Sequence, residues 1–219
     1  MPALIFDLDG TLVDTAPDLL GALNAVLALE GRNGVDPATL RHMVGFGARS
    51  LIEQAMAATG APVAADRLPK LVESFIAHYR EHLADASRPF PGVVETLTKL
   101  AAGGARMGVL TNKPQELTGP LLDKLNLFRF FGAVHGAGRF DYVKPDARVF
   151  HHVMDDLGDG SAVMIGDSKT DLLTGRAAKV PVILLSYGYT PTPVRELGAD
   201  IVLDDFTEIP AAVRTLLPK

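Results

Sequence analysis

Five short apolar runs, at residues 3–6, 107–110, 162–165, 182–185 and 201–203, each stop on polar residues. Asp7, Asp9 and Gly10 follow the first run, Thr111 and Asn112 the second, Gly166 and Asp167 the third, Ser186 the fourth, and Asp204 and Asp205 the fifth. Few polar residues alternate within them, as expected of strands covered on both faces in a parallel sheet. Helical periodicity fills stretches between and after the runs, over 93–102, 115–125, 147–157, 170–178 and 208–217. Strand and helix in alternation predict an α/β fold with a doubly wound, Rossmann-like parallel sheet.

One stretch breaks the alternation. Residues 15–87 carry only helical spacing, in Leu19, Leu23, Val26 and Leu27, then Leu51, Ile52, Ala55 and Met56, then Leu68, Leu71, Val72, Phe75 and Ile76. Thr15 is placed to cap the first helix, with Pro17 tolerated in its first turn and Asp18 near its positive end. Breaks fall at 31–37, 45–47 and 60–62, and Pro89 and Pro91 forbid helix continuation where the stretch ends. The expected organisation is a core of residues 1–14 and 88–219, interrupted by a helical insertion over 15–87.

Composition narrows the chemistry. The 219 residues include 26 Asp and Glu against 21 Lys and Arg, a formal charge of −5, with no block of basic residues. Neither nucleic acid nor an anionic membrane is expected as the main partner. The apolar run at the start is too short for a signal peptide or a membrane span, so a cytoplasmic location is expected. Cysteine is absent, which removes disulfides, thiolate nucleophiles and thiolate metal sites and leaves oxygen or imidazole ligands.

In open α/β sheets, ligands bind beyond the carboxyl ends of the strands, so four polar clusters can converge there. The first is Asp7-Leu8-Asp9-Gly10-Thr11-Leu12-Val13-Asp14, in which alternation sends Asp7 and Asp9 to one side and Gly10 permits a sharp turn. Crowded carboxylates demand a cation or a shared proton. The second is Thr111-Asn112-Lys113, whose hydroxyl and amide suit phosphate oxygens; the third is Lys144, before Pro145; the fourth is Gly166-Asp167-Ser168-Lys169-Thr170-Asp171. Each has an ordinary alternative as a turn, a helix cap or a surface lysine. Together, oxygen-only acids around a small cavity suit Mg²⁺, and that ion with Lys144 balances Asp7, Asp167 and Asp171, leaving the site poised for a phosphate dianion. His78 and His82 lie four apart without a third ligand pattern, and none of the six histidines is assigned a role.

The order Asp7-x-Asp9-Gly-Thr-Leu-x-Asp14, Thr111-Asn112, Lys144-Pro145, Gly166-Asp167-Ser168-x-x-Asp171 resembles the haloacid dehalogenase superfamily and, within it, the Mg²⁺-dependent phosphatases. The finer similarity is to the phosphoglycolate phosphatase subgroup, carried by Asp14-Thr15-Ala16-Pro17-Asp18-Leu19, Phe90-Pro91-Gly92-Val93, Thr111-Asn112-Lys113-Pro114 and Ser186-Tyr187-Gly188-Tyr189. Two departures stand out: Ala147 where such sequences often have Pro, and Lys179 where a loop often has Gly.

The resemblance implies that Asp7 attacks phosphorus to form an aspartyl-phosphate and that Asp9 moves protons. It implies that Mg²⁺ is held by the Asp7 and Asp167 carboxylates and the Asp9 carbonyl. Asp171 is expected to support that shell and orient Lys144, Thr11 to fix the turn, and Thr111, Asn112, Lys144 and Gly10 to surround the phosphate. The insertion is expected to act as a cap, with Gly45, Gly47 and Arg49 meeting the rest of the substrate. The expected partner is a small phosphorylated metabolite, bound by a monomer or homodimer. The alternatives are a β-phosphoglucomutase-like enzyme, a sugar-phosphate or pyrophosphate hydrolase, and a phospho-acceptor signalling module; in the last, the acidic pair precedes the phospho-accepting Asp and no cap is present.

Overall fold

The computed structural model describes residues 2–217. Strand β1 (Ala3–Phe6) enters the first acidic turn, and a two-residue strand β2 (Val13–Asp14) leads into helices α1 (Ala16–Leu29), α2 (Pro37–Arg41), α3 (Gly47–Ala58) and α4 (Leu68–Glu81). The chain returns through β3 (Arg88–Pro89), which pairs antiparallel with β2, Val13 opposite Pro89 and Asp14 opposite Arg88. The remainder runs α5 (Val93–Ala102), β4 (Arg106–Pro114), α6 (Gln115–Lys124), β5 (Ala133–Ala137), α7 (Ala147–Leu157), β6 (Ala162–Gly166), α8 (Lys169–Ala177), β7 (Val182–Leu185), β8 (Ile201–Leu203) and α9 (Ile209–Leu216).

Six strands form a parallel sheet in the order β5-β4-β1-β6-β7-β8. Alternate residues of β1 feed two cores: Leu4 and Phe6 pack with Leu97, Leu121, Phe206 and Ile209, while Ala3 and Ile5 pack with Val149, Phe150, Val153 and Leu172. Both faces are therefore covered by helices, and all four β1 residues are buried. The first core continues through Leu8 and Leu12 into the helical segment, reaching Leu19, Leu23, Leu51, Phe75 and Tyr79.

The register positions the chemistry. Phe6 lies level with Val109 on one side and Ile165 on the other, so Asp7, Thr111 and Asp167 emerge together at the carboxyl ends of three adjacent strands. The chain builds outward from β1 through β4 to β5 and then crosses to β6, which makes this the place where strand order reverses.

Three local features differ from the sequence reading. β5 has no counterpart in it, because Ala133-Val134-His135-Gly136-Ala137 lacks a sustained apolar run; the strand forms against β4. Thr15 occupies the cap position of α1, but its hydroxyl makes no capping bond. Instead the Ala16 N–H donates to the Tyr189 hydroxyl at 3.0 Å and to Asp14 at 3.3 Å. Asp18, expected only as a partner of the helix dipole, is buried and accepts hydrogen bonds from Ala86 N, Ser87 N and Ser87 Oγ. It thereby ties the start of the helical segment to its end.

Candidate active site

Asp7, one residue past the end of β1, is buried, and its Oδ1 accepts a 2.7 Å bond from the Leu8 N–H. Burial raises its carboxyl from 3.8 to about 7, with Lys144 opposing and Asp171 adding to the shift. Lys144 Nζ stands 3.0 Å from Asp7 and 2.6 Å from Asp171. Burial works against the lysine's charge, but the two carboxylates outweigh it and hold the ammonium above its usual range.

Asp167 lies in the loop before α8 and Asp171 in its first turn. Ser168 and Asp171 form a reciprocal capping box there, and Asp171 Oδ2 also accepts from the Asp167 N–H at 3.2 Å. Asp167 accepts 2.6 Å bonds from Thr11 Oγ1 and from the Tyr189 N–H. Burial first, and then Asp171 and Asp7, push its carboxyl well above the ordinary range. Thr11 thus anchors the acidic turn to the fourth motif. The turn itself requires glycine: Gly10 has φ +85°, and a Cβ there would lie 2.5 Å from an Asp167 oxygen.

Asp7, Asp167 and Asp171 each place an oxygen within 4.8 Å of the others, and they are the one such group of potential metal ligands among the described residues. All three are buried around a single ammonium, so ionising all of them leaves uncompensated negative charge. The donor chemistry fits a hard divalent cation such as Mg²⁺.

A cavity of about 40 Å³ opens beside these groups, lined by Asp7, Asp9, Thr111, Asn112 and Lys113 below and by Leu19, Val44, Gly45, Gly47, Leu51, Phe75 and Tyr79 from the helical segment. Asp7 and Asp9 therefore do share one side of their turn. The Asp9 carboxylate, however, is not with the acidic trio: it pairs with Lys113 Nζ at 3.0 Å. The same ammonium donates to the Tyr79 hydroxyl at 2.7 Å. Burial pulls Lys113 below its usual range while Asp9 pulls it back up.

Two expected contacts take another form. The Asn112 amide is occupied by backbone: its Nδ2 donates to the carbonyls of Gly45 and Lys144, each at 3.2 Å, and its Oδ1 accepts from the Lys144 N–H at 3.0 Å. Its side chain fixes the lysine-bearing loop rather than standing free for phosphate. Gly45 and Gly47 line the cavity, but Arg49 does not; its guanidinium is exposed and bonds Glu53 at 3.2 Å, one helical turn along α3. Helical geometry gives the reason, since positions 49 and 53 share a face turned to solvent.

Sequence reasoning left Lys113, Tyr79 and Tyr189 without roles. Lys113 directly follows the Thr-Asn pair and Tyr189 ends the Ser186-Tyr187-Gly188-Tyr189 motif, whereas nothing local marks Tyr79; both tyrosines act across the fold. The rings of His78 on α4 and of His82 just past its end lie 4.7 Å apart at a tilt of 39°, and His82 pairs with exposed Asp85.

The family profile described as haloacid dehalogenase-like hydrolase matches residues 4–185. The phosphoglycolate phosphatase of Caulobacter vibrioides is 51% identical over 216 residues, spanning 98% of this chain and 91% of that protein. That of Agrobacterium fabrum is 42% identical over 221 residues, spanning 100% and 95%. The crystal structure of a predicted phosphoglycolate phosphatase from Haemophilus somnus 129pt superposes with a TM-score of 0.91 at 28% identity, covering 97% of this chain and 98% of that one. Acidic trio, strand order and sequence agree, and the chain belongs to the haloacid dehalogenase-like hydrolases.

Proposed function

We propose that this chain is a Mg²⁺-dependent phosphomonoesterase acting through an aspartyl-phosphate, with 2-phosphoglycolate or a similar small ester as substrate. The observation that carries the reading is the buried Asp7 carboxylate beside Lys144 and the Asp167–Asp171 pair, at the mouth of a cavity also lined by Asp9. The names of the full-length relatives support the choice of substrate.

In this reading a carboxylate oxygen of Asp7 bonds to phosphorus as the bond to the ester oxygen breaks. Asp9 gives its proton to the departing alkoxide. It then takes one from the water that attacks phosphorus and frees Asp7 with release of phosphate. Thr111 and Lys144 meet the phosphoryl oxygens as charge spreads over them. The Asp7 and Asp167 carboxylates with the Asp9 carbonyl are the groups to hold Mg²⁺, which when bound compensates the charge of the phosphate and of the acidic trio. Asp171 keeps Lys144 in place. Residues 15–87 serve as a cap whose closure excludes water from the cavity.

The test is phosphate release from 2-phosphoglycolate, sugar phosphates, nucleotides and pyrophosphate, with added Mg²⁺ and with excess chelator. Acid quenching during turnover should trap a phosphorylated Asp7 peptide, found by mass spectrometry, and turnover in ¹⁸O-water should place the label in released phosphate. Undiminished release in chelator, or label that enters the Asp7 carboxylate, overturns the mechanism.

A further inference from the structure

Resting on the phosphoglycolate reading above, we infer that Lys113 determines specificity by receiving the carboxylate of the substrate. The cavity's charged lining consists of Asp7, Asp9 and Lys113, and its far wall, with Leu19, Val44, Leu51 and Phe75, is apolar. A carboxylate carried into such a space loses water and finds no compensation from that wall. Both carboxylates in the lining repel it. Lys113 is the lining cation, and its side chain is only 2% exposed.

The ammonium is held from two sides. Both Asp9 oxygens, at 3.0 and 3.4 Å, and the Tyr79 hydroxyl on α4, at 2.7 Å, accept its hydrogen bonds, which fixes its position and leaves the long second Asp9 contact as the one a substrate carboxylate displaces. Its contact with Asp9 sets the reach required of the substrate. With phosphorus at Asp7 and the ester oxygen at Asp9, Lys113 is the next group along. In a glycolate ester the carboxylate oxygens lie roughly 3 Å from the ester oxygen, two bonds of ordinary length intervening before the carboxyl group. A short acid tail therefore ends at the ammonium, whereas a longer neutral tail passes it toward the apolar wall. Arg49, the cation of the helical segment expected to meet the rest of the substrate, is 66% exposed and engaged with Glu53.

The experiment compares wild type, Lys113→Met and Lys113→Arg on 2-phosphoglycolate and on its neutral isostere, the phosphate ester of glycolamide. Because Lys113 touches Asp9, activity on both esters should fall in Lys113→Met. The expected mark is a drop in kcat/KM that is larger for the acid by about tenfold or more, the worth of a charge-assisted hydrogen bond. Arg should restore part of that preference. Inhibition by 3-phosphonopropionate and by propylphosphonate reads the same preference without turnover, and Lys113→Met should weaken only the former by a comparable factor. Equal losses for acid and amide, with equal shifts in the two inhibitors, overturn the assignment while leaving the phosphatase reading intact. A wild-type enzyme that hydrolyses other esters but not 2-phosphoglycolate overturns both the substrate and this role. If Lys113→Met does not fold, as judged by circular dichroism, Tyr79→Phe replaces it: loosening the ammonium should reduce the acid preference, and an unchanged preference counts against the assignment.

Discussion

The backbone N–H of Tyr189 donates to the Asp167 carboxylate at 2.6 Å, while its side chain reaches the other end of the site, where the hydroxyl donates to Asp14 and accepts from the Ala16 N–H. One residue thus joins the acidic trio to the strand pair through which the helical segment leaves the core. Arg41 of α2 completes the link, 3.0 Å from Asp14 and with its guanidinium 4.9 Å from the Tyr189 ring. Tyr189→Phe should preserve the ring contacts and lose the hydroxyl's two bonds. We expect a loss of about 1–2 kcal/mol, read from urea unfolding, because partly buried groups lose their partner. A change below about 0.3 kcal/mol would mean that the hydroxyl contributes nothing net.

Asp7→Asn keeps the side-chain volume and removes the attacking oxygen's charge. Turnover should fall at least about 10³-fold, as for loss of a nucleophile. The fold should persist, because the amide still accepts from Lys144 and the ionised form of Asp7 is disfavoured by burial. In chelator the variant should melt at or above the wild-type temperature. Near-normal turnover would assign the attack to another group.

The raised Asp7 carboxyl gives a pH signature with an unusual sign. Its value moves from 3.8 in the unfolded chain to about 7 in the fold. Across that interval the native state holds the proton more tightly, so its contribution to stability is present at low pH and is lost as pH rises from about 4 to 7. Asp167, also raised by burial, acts in the same direction. In chelator, the melting temperature of wild type relative to Asp7→Asn should fall over this range. Added Mg²⁺ should cancel or reverse the fall, since it favours the ionised carboxylates. Parallel curves for the two proteins would remove the shift from Asp7.

Lys179 follows α8 with φ +59°, in the left-handed region where a side chain costs energy. The turn is otherwise well made: the Val180 N–H donates to Gly175 O at 2.9 Å, and the Lys179 N–H to Arg176 O at 3.1 Å. Lys179→Gly should therefore stabilise by about 1 kcal/mol, seen as a rise of about 2–4 °C in Tm, with activity unchanged. An unchanged or lower Tm would show that the lysine's backbone conformation carries no net penalty.

The sequence by itself determined five of the six strands of the sheet and the identity of the acidic cluster. Short, uniform apolar runs mark β1, β4, β6, β7 and β8, and Asp7, Thr111 and Asp167, which follow three of those runs, meet because parallel strands bring their carboxyl-terminal parts to one edge. The helical character of 15–87 was equally plain, since amphipathic spacing is a local property. Tertiary structure alone decided the partners. β5 forms because β4 offers an edge, not because Ala133–Ala137 favours a strand. Asn112 is spent on the Lys144 loop, Lys113 stands between Asp9 and Tyr79, and Arg49 turns to Glu53. These contacts, apart from the last, join residues more than thirty positions apart. A polar side chain takes whichever partner the folded chain brings within about 3 Å, and no periodicity in its own neighbourhood records that choice.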